Sequence, residues 1–327
     1  MVDFPEPKFE PRSVDHERPS RSKLRIGSPQ FQAEDFKPTD EILLNCGGPI
    51  LSLDLDGRSW SIDRGSNFGS GKSIMSEVAT NDPAVPQVPF MTAQIFESPY
   101  TYSFPVTSGW IFLRLYFYPA SYSGLKISDA RFGVTSQSYT LLRNISVLET
   151  TLGSKDHYVV KEYSIHIDGG TLNVTVTPST TVINAYAFVN GIEVMSMPNI
   201  YTFTDDDVHV IVGIRSVFTI DNRTALENVY WLNVGGSNIS DSRDTDMFKS
   251  WSADASFILW TAFGAVNGGI EVNIEYPPGT PFYIAPTIVF SSARSMAPNA
   301  NINLSYNLTW TFSIDYGFAY RVRHHFC

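Results

Sequence analysis

The sequence predicts an all-β protein built from sandwich modules of the jelly-roll type. Apolar and polar residues alternate over many short segments rich in β-branched and aromatic side chains, which is the pattern of strands with one buried face. Turn-forming Asp-Gly, Asn-Gly and Pro-Gly pairs separate these segments. No stretch of a dozen residues carries apolar side chains at helical spacing. Many short strands divided by turns are typical of β-sandwiches and jelly rolls.

The strand pattern is clearest where aromatic or branched residues occupy every second position. Successive side chains of a strand point to opposite sheet faces, so each of these segments would have one apolar face. The segments are residues 100–106, 110–118, 158–167, 172–176, 302–314 and 318–326.

Composition excludes several classes of protein. Apolar residues make up 43% of the 327 residues and charged residues 17%, which excludes disorder along the whole chain. Lys and Arg number 23 against 33 Asp and Glu, a net charge of −10, so nucleic acid is not an expected partner. No window approaches the roughly 18 uninterrupted apolar residues of a membrane helix, and we expect no membrane contact by this chain itself.

Residues 1–36 are predicted to form a disordered arm. The first forty residues hold seven Lys or Arg, eight Asp or Glu and six Pro, with apolar residues scattered singly. Such a segment buries too little apolar surface to offset the entropy of ordering. It also lacks the apolar run of about 7–15 residues that a secretory leader needs. We expect a first module at 37–200, a connecting segment at 201–228 and an incomplete second module at 229–327.

An internal repeat supports the two modules. Residues 44–48 (Leu-Asn-Cys-Gly-Gly) match residues 232–236 (Leu-Asn-Val-Gly-Gly), and residues 104–118 match 312–326 in pattern. The first copy continues through residue 194, whereas the second stops at residue 327. A sandwich buries its apolar faces only when both sheets are present. We therefore expect residues 37–200 to fold alone, and residues 229–327 to be partly disordered, prone to aggregation, or ordered only by packing on the first module.

A set of longer motifs occurs in order along the chain. They are residues 45–48, 56–60 (Asp-Gly-Arg-Ser-Trp), 100–106, 113–119 (Leu-Arg-Leu-Tyr-Phe-Tyr-Pro), 184–194, 225–230, 232–236 and 292–296 (Ser-Ala-Arg-Ser-Met). This set resembles the ectodomain of plant malectin-like receptor kinases, the FERONIA group, over residues 37–327. The resemblance implies tandem malectin-like sandwiches at the extracellular face of the plasma membrane, with a membrane helix and a Ser/Thr kinase downstream. Neither of these, nor a signal peptide, is recognisable in the sequence, so the resemblance leaves the location of this chain open.

The function that the resemblance implies is noncatalytic recognition of cell-wall pectin, of secreted signalling peptides, or of both. The peptide would bind together with a GPI-anchored co-receptor, and no cofactor is expected. Acidic pectin would need cationic side chains, and the nearest approach to a basic cluster is Arg114, Lys126, Arg131 and Arg143. The alternative is a polysaccharide-active β-sandwich enzyme or a free lectin-like protein.

Six sequons indicate N-glycosylation if the protein enters the secretory pathway. Each has Ser or Thr two residues after an Asn with no Pro between. The asparagines are Asn144, Asn173, Asn222, Asn238, Asn303 and Asn307. We expect occupancy at Asn144, Asn238 and Asn307 in particular, because turn edges and solvent-facing strand positions accept a bulky glycan.

Other patterns suggest chemistry but fit structural roles better. The run Gly-Lys-Ser at 71–73 resembles a phosphate loop, but Ser66 stands where that motif needs Gly. Acidic clusters at 205–207 and 241–246 do not match a calcium loop. The six histidines lack zinc-ligand spacing, and Glu193 and Glu271 stand alone on predicted strands without the paired carboxylate of a glycosidase. We therefore expect no metal and no catalytic residue.

The chain has two cysteines, Cys46 and Cys327. One disulfide at most could form, so the sequence predicts no disulfide framework. Whether either cysteine is bonded stays open at this point.

Overall fold

The alternating segments of the first half become two packed sheets. The computed structural model describes residues 36–198, 222–245, 247–259, 265–267, 274, 282–296, 300–304 and 307–325. These residues belong to one compact unit that spans Asp35–Cys327. Residues 1–35 of the predicted arm, most of the connecting segment, Asp205–Asp207, Asp246 and Cys327 lie outside the described residues.

Nineteen strands are present in the described part of the chain. They are β1 (Glu41–Asn45), β2 (Ser52–Leu53), β3 (Ser59–Ile62), β4 (Gly69–Ser70), β5 (Ile74–Glu77), β6 (Thr92–Phe96), β7 (Tyr100–Pro105), β8 (Gly109–Phe117), β9 (Phe132–Ser136), β10 (Tyr139–Ile145), β11 (Val159–Ile167), β12 (Thr171–Pro178), β13 (Ala187–Val189), β14 (Gly191–Ser196), β15 (Leu226–Asn228), β16 (Leu232–Asn233), β17 (Ser252–Ala253), β18 (Ala265–Asn267) and β19 (Ala293–Ser295). The α-helices are α1 (Val147–Ser154), α2 (Thr287–Phe290) and α3 (Ala300–Asn303).

Two sheets form the first sandwich, and smaller sheets complete the described structure. The larger sheet has seven strands in the order β15-β11-β8-β14-β1-β3-β2, and the second has five in the order β10-β9-β12-β7-β4. A three-stranded sheet, β13-β6-β5, and the pairs β16-β17 and β18-β19 complete the set. The long central pairings are antiparallel, as in β8 with β11 and β14.

The core lies between the inner faces of the two large sheets. Alternate residues of β7 and β8, such as Tyr102, Phe104, Leu113 and Leu115, are fully buried there. Their partners on β12 include the buried Val174. The predicted strands at 100–106, 110–118, 158–167 and 172–176 are therefore confirmed, with ends that shift by one or two residues.

A short helix, α1, lies within a region without a predicted element. Ser146 caps its first turn by accepting a hydrogen bond from the Glu149 amide, and Lys155 ends it with a φ of 65°. Eight residues are too few to show a helical apolar period over a dozen positions, so this pattern did not identify it.

The predicted strands at 302–314 and 318–326 are wrong for the residues described. The first of these segments overlaps α3, and later holds a single bridge between Ile258 and Trp310. No strand lies in the described residues 318–325. The corresponding strand of the first copy, β7, is paired on both sides, by β4 and β12. In the described residues, no pair of neighbouring strands flanks the second-copy segment as β4 and β12 flank β7. Alternating apolar and polar residues were therefore not sufficient to form a strand there.

The sequence repeat is also a repeat of contacts. Strand β1 runs parallel to β3 with Leu44 opposite Ser61, and β16 runs parallel to β17 with Leu232 opposite Ser252. Phe68 packs against Phe104 with ring centroids 5.2 Å apart in the first copy.

In the second copy the matching rings are Phe257 and Phe312, whose centroids lie 5.6 Å apart. Each copy thus has the same two features. One is a parallel strand pair at its Asn-x-Gly-Gly motif, and the other is a contact between two phenylalanine rings farther along the chain.

Candidate functional site

Strand register brings opposite charges together on the outer face of the seven-stranded sheet. Arg114 on β8 lies opposite Glu162 on β11 and opposite Glu193 on β14. Residues directly opposite on neighbouring strands are within contact distance of one another. The sequence therefore places one guanidinium between two carboxylates in the middle of this face.

Arg114 uses all three guanidinium nitrogens, although only 2% of its surface is exposed. Its Nε lies 2.7 Å from Glu162 Oε1 and its Nη1 lies 3.0 Å from Glu193 Oε1. Its Nη2 donates to the backbone carbonyls of Met247 and Phe248 at 2.7 and 2.8 Å. This arginine therefore joins the first sheet to a loop of the second copy, in a geometry that suits its planar set of donors.

Glu193 is the buried anion of this cluster. Burial by itself raises the pKa of its carboxyl, but the charges of Arg114 and Arg58, with hydrogen bonds from Arg58 and Tyr116, lower that pKa to about 2. Tyr116 donates its hydroxyl to Glu193 Oε2 at 2.7 Å. The carboxylate is thus ionised near neutral pH, and both of its oxygens already accept hydrogen bonds. These properties do not suit a general acid or base.

The second copy contributes aromatic and cationic side chains to the same contact. Trp231 Nε1 donates to Glu162 Oε2 at 2.8 Å, and the ring of Phe248 lies 3.8 Å below the Arg58 guanidinium carbon. Lys249 is buried beside Asp244, with the two charged groups 3.3 Å apart. We call this cluster the module clamp, defined by Arg58, Arg114, Glu162, Glu193, Trp231 and Phe248.

Sequence analysis missed most of the module clamp. It treated Glu193 as isolated, whereas the structure places it against two arginines. The available signal was a charged residue inside an otherwise apolar strand, as in Leu113-Arg114-Leu115. A buried charge requires a partner, so such a residue indicates an ion pair even when the partner is distant in sequence.

The four cationic residues predicted as a candidate pectin-binding cluster lie in different surroundings. Arg114 lies in the module clamp and is not available to a polymer. Arg131 pairs with Glu149 and is partly exposed. Lys126, beside a 3-10 turn, and Arg143, on β10, are exposed. Arg131 directly precedes β9, and Arg143 lies on β10, the strand that pairs with β9.

Most of the sequon asparagines are on the surface. Asn144, Asn222, Asn238 and Asn307 are exposed, whereas Asn173 and Asn303 are half-buried.

Two of these asparagines already make hydrogen bonds with their amide oxygens. Asn173 Oδ1 accepts from Ser103 Oγ at 2.7 Å, and Asn238 Oδ1 accepts from the Ala253 amide at 2.7 Å. Glycans attach through the amide nitrogen, so both bonds are compatible with modification.

The remaining patterns have structural roles where they are described. Gly71 in the phosphate-loop-like run packs on the Tyr100 ring, and Asp244 accepts from Trp251 Nε1 at 2.9 Å. Cys46 is a free, buried thiol, and burial raises its pKa well above the usual value. Among the described residues, no group of three or more His, Cys, Asp or Glu is arranged to hold a metal ion.

None of the helices in the described residues combines the length and apolar character needed to cross a bilayer.

Comparison with known proteins identifies the family. The Malectin-like domain family matches residues 44–327. The chain is 51% identical over 302 residues to the receptor-like protein kinase FERONIA of Arabidopsis thaliana, an alignment that covers 91% of this chain and 34% of the receptor. ANXUR1 of the same plant is 39% identical over 88% of this chain and 34% of that receptor. The chain thus spans about a third of the length of these relatives.

Solved structures show the same relationship. A crystal structure of the plant receptor-like kinase FER matches with a TM-score of 0.78 and 50% identity, covering 85% of this chain and 71% of that one. FER in complex with the peptide RALF23 and LLG2 matches with a TM-score of 0.79 and 50% identity, covering 87% and 72%. The chain therefore belongs to the malectin-like family, in the group that includes the ectodomains of the FERONIA and ANXUR receptor kinases.

Proposed function

We propose that this chain is a noncatalytic extracellular recognition module that binds a secreted signalling peptide together with a GPI-anchored co-receptor. The observation that carries the proposal is the match to FER in its complex with RALF23 and LLG2. Half of the aligned residues are identical, and the alignment covers 87% of this chain and 72% of that one, which supports a shared mode of binding.

The module clamp supports recognition over catalysis. Glycoside hydrolysis uses two carboxyl groups about 5–10 Å apart that both face the substrate. Glu162 and Glu193 are two carboxyl groups that flank one arginine. Both are bonded to side chains on more than one element, and the second copy covers them. This pair therefore suits a structural contact between the first sheet and the second copy.

Pectin is the second ligand that we propose, on the basis of the family resemblance. A galacturonate polymer is an anion and would need exposed cations within its reach. Lys126, Arg131 and Arg143 are the exposed or partly exposed members of the cationic set considered above. Arg114 is excluded from this role because it is buried in the module clamp.

Binding of RALF23 in the presence and absence of LLG2 tests the peptide function. The chain would be produced through a secretory pathway with an added signal peptide, and its affinity measured by calorimetry or interferometry. We expect peptide binding that LLG2 strengthens. Absence of binding under both conditions would contradict the proposal, and release of sugars from a polysaccharide panel would favour the enzyme alternative.

Binding of oligogalacturonides tests the pectin function separately. The variant K126Q/R131Q/R143Q should bind them more weakly than the original chain. Lys72→Gln is the matched control, because Lys72 is an exposed cation elsewhere on the first module. Equal binding by the triple variant and the original chain would remove pectin from the proposal or place it on another surface.

A further inference from the structure

Residues 307–325 are fixed to the rest of the second copy at their beginning by the backbone and at their end by a side chain. At the beginning, Leu259 donates its amide to the Thr309 carbonyl at 2.9 Å, and Thr311 donates to the Phe257 carbonyl at 2.8 Å. At the end, the partly buried ring of His325 lies against two aromatic rings.

The imidazole of His325 meets these two rings edge to face. Its centroid lies 6.2 Å from that of Trp251 with an interplanar angle of 73°, and 5.5 Å from that of Phe290 with an angle of 85°. Aromatic rings prefer this arrangement to direct face-to-face stacking. We call Trp251, Phe290 and His325 the histidine latch.

The two rings that receive His325 are held in place by other contacts. Trp251 exchanges two backbone hydrogen bonds with Ile239, at 2.8 and 3.0 Å, and donates its indole nitrogen to Asp244 Oδ1 at 2.9 Å. Phe290 is the last residue of α2 and packs against the buried cluster that contains Trp251 and Val289. The imidazole is therefore the part of the latch that can leave.

The charges that act on this imidazole are cationic. Arg323 and His324 belong to its own segment, and Lys249 belongs to the loop that precedes Trp251. The Lys249 ammonium lies 5.8 Å from the centre of the Trp251 ring. A proton on His325 would therefore add a positive charge beside existing ones, which is unfavourable.

The elements packed against His325 bring no free anion to offset that charge in the described residues. Helix α2 contributes no charged side chain. Asp244 is the acid of the neighbouring loop, and its carboxylate already lies 3.3 Å from the Lys249 ammonium.

Burial and the neighbouring cations lower the pKa of His325 from the ordinary 6.5 to about 4. Once the segment leaves the rings, the imidazole is hydrated and its pKa returns toward the ordinary value. The released form thus binds a proton that the seated form does not. The stability of the seated form is fully present above pH 6.5 and is lost as the pH falls toward 4.

We propose that the histidine latch is an acid-sensitive switch, which holds residues 318–325 on the second copy while the imidazole is neutral and releases them when it is protonated. Release frees a segment with exposed apolar side chains, among them Phe318 and Val322, and uncovers the rings of Trp251 and Phe290. The inference goes beyond the proposed function, because it concerns the conformation of the second copy and not a ligand.

Two other histidines would respond to acid in the opposite sense. His157 Nδ1 lies 2.7 Å from Asp82 Oδ2, and His166 Nδ1 lies 3.1 Å from Asp168 Oδ1. Protonation of either ring adds a charge next to a carboxylate and so strengthens the contact. Release by acid is therefore specific to the surroundings of His325.

Limited proteolysis of the whole chain at pH 7.5 and pH 5 tests the inference. Papain is active at both values, and each rate is divided by its rate on a short reference peptide. We expect cleavage between residues 318 and 325, located by mass spectrometry, to be about tenfold or more faster at pH 5, since a tenfold change corresponds to one unit of pKa difference.

Matched variants assign the effect to the latch. His325→Phe keeps an aromatic ring but cannot take a proton, so its cleavage rate should change less than about twofold between the two pH values. His324→Phe is the control, because His324 is the exposed neighbour and the latch is intact. It should behave as the original chain does, and thermal melts at both pH values establish that every variant is folded.

Nuclear magnetic resonance of chains labelled with carbon-13 in the imidazole rings gives an independent measurement. The His325 signal is the one that disappears in His325→Phe, and it should titrate well below pH 6.5 in the original chain. Arg323→Gln should move this titration to higher pH, because one cation beside the imidazole is removed. Titration of His325 at its ordinary pH, equal acceleration in the original chain and in His325→Phe, or no acceleration in the original chain would each overturn the inference.

Discussion

Gly47 and Gly235 hold the same backbone position in two copies of one β-motif. Their φ angles are 72° and 75°, a region that side chains rarely adopt. Gly47 donates its amide to Asp63 Oδ1 at 2.9 Å, and Gly235 donates its amide to Asp254 Oδ1 at 3.0 Å. A Cβ atom at either position would lie 2.2 or 2.3 Å from a backbone oxygen, of Ala93 or Ala293. The Asn-x-Gly-Gly motif is therefore repeated for a steric reason.

Replacing Gly47 with Ala should destabilise the first module strongly. The substitution adds both left-handed backbone strain and a clash with a backbone atom, so we expect a loss of about 3 kcal/mol or more in the free energy of unfolding. Gly57→Ala is the matched control, because Gly57 also has a positive φ but nothing within 4 Å of its Cβ position. The control should lose only about 1 kcal/mol. Urea denaturation followed by tryptophan fluorescence measures both, and equal losses would contradict the steric argument.

Arg114→Ala should cost far more stability than removal of a surface ion pair. It leaves Glu193 and Glu162 without their shared cation inside the module clamp, which should cost about 3–5 kcal/mol. Arg131→Ala removes an exposed pair with Glu149 and should cost less than about 1 kcal/mol. Chemical denaturation compares the two variants. A loss for Arg114→Ala no greater than that for Arg131→Ala would show that the clamp contributes little.

Glu193 should make the protein sensitive to acid. Its pKa in the folded state is about 2, below the ordinary value of 4.5, so its stabilising contribution is present above pH 4.5 and is lost as the pH falls toward 2. The difference corresponds to about 3 kcal/mol. Glu193→Gln should remove this part of the pH dependence while lowering stability at neutral pH. Denaturation curves between pH 2 and 7 provide the measurement, and an unchanged slope in the variant would contradict the assignment.

Asp241 should change the pH dependence of stability in the direction opposite to Glu193. Burial and the neighbouring Asp56 raise its pKa from the ordinary 3.8 to about 6, so the folded state holds a proton that the unfolded state has released. Its contribution to stability is therefore present below pH 3.8 and is lost as the pH rises through 6. Asp241→Asn should flatten stability between pH 4 and 6, and Asp156→Asn, at an exposed site, should not. An unaltered profile in Asp241→Asn would contradict the raised pKa of Asp241.

The sequence predicted those parts of the fold in which a local pattern and the tertiary environment agree. Strands β7, β8, β11 and β12 alternate in sequence and are paired on both sides, so their pattern was sufficient. The module clamp was harder to predict from the sequence. The partners of Arg114 come from β11, β14 and the loop at 247–248, which are distant from it in sequence.

Strand β2 shows the reverse case. Leu51 and Leu53 alternate with Ser52 and Asp54, and sequence patterns assign the apolar side of such a segment to the core. Whether that side is buried depends on the position of the strand in the sheet, and β2 is the last strand of seven. Exposure of these leucines is therefore a property of topology that composition and periodicity do not contain.

The second copy should be cleaved by protease before the first. Alternate residues from 312 to 322 are apolar and exposed to solvent: Phe312, Ile314, Tyr316, Phe318, Tyr320 and Val322. No strand is present in the described residues 307–325, so few backbone hydrogen bonds oppose local opening there. Both edges of β7 in the first copy are paired, and its aromatic residues Tyr102 and Phe104 are buried.

Limited proteolysis with chymotrypsin measures this difference, because its preferred aromatic sites are abundant in both copies. We expect early cuts among Tyr316, Phe318 and Tyr320, followed by accumulation of a resistant fragment that contains residues 37–200. Arg114→Ala should speed the loss of residues 229–259, since it removes the two hydrogen bonds that hold Met247 and Phe248 on the first sheet. Arg131→Ala should leave the order and rate of cleavage unchanged. Equal resistance of both copies in a soluble monomer would show that the second copy is stable without further partners.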